Sequence, residues 1–185
     1  MVWPFKDRWG SALPFEQFVR ESTEHCALWT GVYRTAQVPA WAVDEAAAMG
    51  VNFRLVVLAE DWCGDASNTV PVIAKWAELV PGLELRVLRR DQHPDVMDRY
   101  LTGTARSIPV VIVLNEDFAE IGRWGPRPRE LQEYVKEQRG LGREKKEYYP
   151  DVRRWYAKDK GHTTLRELLT VMGRAVHTAG AGVPS

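Results

Sequence analysis

The chain is poor in cysteine, carries no excess of either charge, and has no long apolar run. Only two cysteines, Cys26 and Cys63, occur in 185 residues. That is too few for a disulfide framework and fits a compartment where thiols stay reduced. The four histidines, at 25, 93, 162 and 177, stand at no zinc-like spacing to one another or to cysteine, so neither a metal nor a cofactor is expected. Lys plus Arg equals Asp plus Glu at 25 each, which removes the electrostatic pull of a typical nucleic-acid binder. No stretch approaches the ~20 apolar residues of a membrane span, and the opening MVWPFKDRWG lacks the apolar core of a signal peptide. The expectation is a cytoplasmic protein with neither membrane nor nucleic acid among its partners.

What is present is concentrated between Phe53 and Pro71. Leu55 to Ala59 is continuously apolar, the pattern of a central strand buried on both faces. Glu60 and Asp61 end it, and Trp62-Cys63-Gly64 follows at its carboxyl end. From Gly64 on, Val70, Ile73, Ala74 and Ala77 recur at helical spacing, which places Cys63 at a strand-to-helix junction. Unpaired N–H groups and the positive end of a helix dipole favour thiolate there. Glu60, Asp61 and Asp65 oppose it as neighbouring negative charges, so the sign of the net pKa shift is open.

Around this centre the sequence predicts an irregular arm over residues 1–12 that lays Trp3, Phe5 and Trp9 on the surface. A helix opened by Pro14 follows, with Phe15, Phe18, Val19, Ser22 and Cys26 on one stripe, which makes Cys26 a core residue. An alanine-rich helix spans about 39–49. Strands are expected at 83–88, 110–114 and 118–124, with a short helix at 95–101. Helical segments from 129 and from 143 to 160 come next, and Thr164 with Glu167 fits a capping box for a last helix. The 9 basic and 5 acidic residues between Lys136 and Lys160 read as a solvated face, and Tyr148, Tyr149, Trp155 and Tyr156 as packing residues.

Trp62-Cys63-Gly64-Asp65-Ala66, with Pro71 eight residues past the cysteine, resembles the thioredoxin motif W-C-G-x-C and its helix-kinking proline. Ser107-Ile108-Pro109-Val110-Val111 resembles that family's loop whose proline is cis and lies against the active cysteine. Two departures stand out: Ala66 replaces the second cysteine, and Val57 stands where many thioredoxins bury an aspartate. This chain cannot close a Cys-x-x-Cys disulfide. Trp155 to Gly161 is similar to the W-Y-x-x-D-K-G segment of a bacterial subgroup with a lone active-site cysteine.

The resemblance implies an α/β, thioredoxin-like fold: a mixed sheet of about four strands flanked by helices, with extra helices at both ends. The whole chain, 1–185, is expected to be one domain, with a core over about 51–139, helical extensions at 1–50 and 140–175, and a frayed tail at 176–185. It implies monothiol disulfide exchange, or removal of glutathione-type adducts, by Cys63 as nucleophile. Trp62, Gly64, Asp65, Ser107, Ile108 and Pro109 would then shape the substrate groove, and the partner is a disulfide-containing protein or a low-molecular-weight thiol. The alternative is a redox-inactive binding module that recognises peptide or protein partners at the cis-proline groove.

Overall fold

A computed structural model describes residues 5–180, with side chains described through residue 174. Trp3 and residues 181–185 of the expected tail lie outside the described residues. The sheet has five strands in the order β1-β3-β2-β4-β5, namely β1 (Leu13–Pro14), β2 (Phe53–Ala59), β3 (Leu83–Arg89), β4 (Val110–Leu114) and β5 (Glu120–Trp124). β2 and β3 run parallel, while β4 and β5 are antiparallel to their neighbours. The parallel pair needs a crossover, which α5 (Gly64–Leu79) supplies. Every residue of β4 is buried, as are all of β2 except half-buried Arg54, because helices cover both faces of these central strands. β1 adds two residues at the far edge and is the strand that the sequence pattern does not announce.

The amino-terminal segment departs from the expected arm. Phe5–Ser11 is a helix, α1, and Phe5 and Trp9 are buried rather than laid on the surface. Residues one turn apart share a face, so this pair turns inward together. The next helix, α2, covers only Phe15–Arg20, and a separate α3 runs Cys26–Thr35. Cys26 is exposed, not in the core. The break has a tertiary cause: Asp61 Oδ2 accepts the Thr23 N–H at 2.7 Å and the Glu24 N–H at 3.2 Å, drawing the chain off the helical path. Trp29 of α3 is sealed in the core and donates its indole N–H to the Asp61 carbonyl at 2.9 Å. Trp76 of α5 does the same to Ala42 of α4 (Ala40–Ala48) at 2.9 Å. Both tryptophans thus join apolar burial to a satisfied donor.

Only Pro94–Met97 (α6) of the helix expected at 95–101 forms. α7 (Arg129–Gly140) and α8 (Lys145–Asp159) enclose a small second core of Leu131, Val135, Tyr148, Val152 and Tyr156. The capping box lies at α8, where Glu144 and Glu147 bond each other's backbone. It is not at Thr164 and Glu167: α9 (His162–Gly180) has already begun, and Glu167 instead accepts the Trp124 indole at 2.6 Å and the Arg129 N–H at 2.8 Å. Leu165, Leu168, Leu169 and Met172 give α9 its buried stripe. Among the described residues no helix is long and apolar enough to cross a membrane.

Candidate functional site

Cys63 is the N-cap of α5, the position from which a side chain can reach the helix's free N–H groups. Its Sγ accepts the Ala66 N–H at 3.4 Å. On its other side the thiol donates to the Ile108 carbonyl at 3.4 Å, and the Ile108–Pro109 peptide bond is cis. The sulfur is therefore held between a helix start and the backbone of the loop before β4. Cys63 is only 7% exposed, whereas its neighbour Trp62 is 44% exposed, with the Arg90 guanidinium 4.8 Å from its ring centre.

Burial pushes the Cys63 thiol up, and the Asp65 carboxylate adds to it. The N–H groups of Ala66 and Asp65 and the charge of Arg127 pull the other way without overcoming them. The thiolate-stabilising helix terminus is thus outweighed by desolvation, which penalises the charged form. Beneath the motif, Val57 is fully buried, so the apolar residue fills the space where a carboxylate would act as internal proton acceptor.

The buried Asp65 carboxylate sits in a polar cluster. Arg127 Nη2 donates to its Oδ2 at 2.5 Å and the Tyr156 hydroxyl to its Oδ1 at 3.0 Å. Arg127 also donates to Gln132 Oε1 at 2.8 Å, while its buried Nε has no partner. Burial alone pulls the Arg127 pKa down, yet the Asp65 charge and hydrogen bond carry it above the ordinary arginine value. Gly64 is covered by the Tyr149 hydroxyl: a Cβ on Gly64 would lie 2.2 Å from that oxygen. The space over Gly64 is occupied by this chain's own α8. Burial, with the charges of Asp65 and Cys63 behind it, raises the Tyr149 pKa, so the phenol stays neutral.

The structure brings Cys63, Ile108 and Pro109 together, with Trp62 at their edge. Ser107 is half-buried one residue before Ile108, and no hydrogen bond from its side chain reaches the sulfur. Arg106 is turned outward onto Asp98 at 2.7 Å. A second cis bond, Gly125–Pro126, lies alongside, and Gly125 at φ +116° lets the Pro109 carbonyl pack where a Cβ would stand 2.2 Å away. Sequence reasoning did not reach Arg127, Tyr149 or Tyr156 as site residues. Arg127 lies 62 positions from Asp65, in a segment legible only as a sheet break. The tyrosines offered the one signal, in the W-Y segment and its aromatic neighbours. Among the described residues, no group of three or more His, Cys, Asp or Glu side chains could hold a metal ion.

A thioredoxin family model matches residues 12–140, which include the motif, the cis-proline loop and α7. The chain belongs to the thioredoxin family. No curated protein matches it. Two solved structures are similar in fold. One is PA1234 from Pseudomonas aeruginosa, described as a protein of unknown function, at 19% identity and a TM-score of 0.71, covering 89% of this chain and 93% of that one. The other is described as an HIV epitope-scaffold, at 19% identity and a TM-score of 0.68, covering 88% and 93%. At that identity both speak to the thioredoxin fold alone. α8, which covers the motif, begins after the matched stretch ends.

Proposed function

We propose that this thioredoxin-family chain carries out single-thiol disulfide exchange through Cys63, slowly at neutral pH. The observation that supports it is the seat of Cys63 Sγ, bonded by the Ala66 N–H of a helix start and set against the backbone beside cis Pro109. The Cys63 thiolate attacks one sulfur of a substrate disulfide; a Cys63–substrate S–S bond forms as the substrate's bond breaks, and its second sulfur leaves as thiolate. An external thiol then attacks the mixed disulfide and restores Cys63, because Ala66 offers no internal sulfur. A high thiol pKa slows this scheme without abolishing it. Each tenfold loss of thiolate fraction is offset about threefold by the greater nucleophilicity of the more basic thiolate. Extended substrate backbone can pair beside Ile108, in the manner of strand addition.

The burial of Cys63, its raised pKa and the absence of a buried acid at Val57 favour a second reading: a binding module without redox turnover. Trapping separates the two. Wild type and Cys63→Ser are incubated with lysate, and captured partners are eluted with and without reductant. Partners released from wild type only by reductant, and missing from Cys63→Ser, support exchange. Equal capture by both proteins, insensitive to reductant, sinks it.

A further inference from the structure

Beside the motif, between the start of α3 and α8, lies an open groove of about 1000 Å³ whose floor includes Trp62, Gly64 and Tyr149. It continues through shared residues Leu28, Asn68 and Ala157 into a second cavity of about 480 Å³ between α3, α5 and the end of α8. The second cavity is walled by Val32 and Val72, with Lys160 at its far end. His25, Lys145, Lys146 and Arg153 line the first. In a chain with equal numbers of acids and bases, neither cavity is lined by a single Asp or Glu. Lys145, Arg153 and Lys160 form no salt bridge with any carboxylate among the described residues. The charges of Lys145 and Arg153 rest instead on the Tyr149 ring, at 4.5 and 5.5 Å from its centre.

We propose that this continuous groove docks an acidic, apolar-containing extended segment of a partner protein. The cations fix the sign of the ligand, and the apolar walls fix its kind. The combined volume exceeds what most small ligands fill, since their pockets run to roughly 300–1,000 Å³. A nucleic acid would use open aromatic faces to stack its bases. Here the Tyr149 ring already carries Lys145 and Arg153, and the Trp62 ring carries Arg90. Leu28, a large apolar side chain left 37% exposed at the junction of the two cavities, gains from being covered, as does Trp62 at 44% exposed in the first. The inference goes beyond the exchange reading and needs no sulfur.

The test is selection of a random peptide library displayed on phage against the full-length Cys63→Ser protein. One selected peptide is then made with a fluorescein label and its affinity measured by anisotropy. Expected are sequences that mix Asp or Glu with apolar residues, and equal affinity for wild type and Cys63→Ser. Lys145→Glu with Arg153→Glu should weaken binding at least about tenfold, more than one exposed ion pair supplies. Leu28→Ser should weaken it severalfold, with an unchanged circular dichroism spectrum in both variants. The proposal is overturned by no binders, by binders without acidic residues, or by undiminished affinity for the charge-reversed protein. It is also overturned if a single-stranded oligodeoxynucleotide displaces the peptide with tighter binding. Loss of wild-type trapping with peptide docking intact removes the exchange reading alone.

Discussion

Arg127 Nη2 lies 2.5 Å from Asp65 Oδ2, with the two side chains 10% and 5% exposed, and both charges act on the Cys63 thiol. A pair this buried costs most when one member is removed, because the other is left charged and out of water. Arg127→Met is expected to lower stability by about 3–5 kcal/mol, read as the midpoint of urea unfolding. It also removes a charge that lowers the Cys63 pKa and leaves one that raises it, so alkylation of Cys63 should move to still higher pH. Asp65→Asn should move it the other way. Identical alkylation profiles in both variants would remove the electrostatic account of this cluster.

Because the folded protein holds the Cys63 thiol above its ordinary value, folding favours the neutral form. The stability this adds is fully present below the unfolded thiol pKa of ~8.5 and is lost as pH rises through the folded value. Wild type should therefore lose stability more steeply than Cys63→Ser as pH rises above about 8.5. Urea midpoints taken across that rise check the sign.

Cys26 is exposed, although the sequence pattern puts it on a core stripe, and Cys63 is buried. One equivalent of iodoacetamide at neutral pH should label Cys26 first, and mass spectrometry of tryptic peptides reads the order. Preferential labelling of Cys63 would contradict both its burial and its raised pKa.

Gly125 holds φ at +116° while the Pro109 carbonyl occupies the place of its missing side chain. Gly125→Ala meets both the backbone strain and the clash, and should cost about 3 kcal/mol or more. Because the displaced atom belongs to Pro109, Cys63 alkylation should speed up as well. Thermal melting and alkylation kinetics give the two readings.

The central strands were legible because β2 and β4 are apolar on both faces, a pattern that needs no knowledge of their neighbours. Cys63 and Pro109 were legible through local spacing. What escaped was decided at long range. The end of α2 depends on Asp61, some 38 positions further on, and the environment of Asp65 depends on Tyr156, 91 positions away. The stripe through Phe18 and Cys26 is a sound helical pattern that a tertiary bond overrides. Thr164 and Glu167 have the spacing of a cap, yet Glu167 is taken by Trp124 and Arg129.

The tyrosines that close over Gly64 and Asp65 come from α8, beyond the last residue that the family model covers. The motif and its cover therefore lie on opposite sides of the boundary of the matched stretch. Substitutions confined to α8 can loosen or tighten access to the sulfur while the motif itself stays untouched.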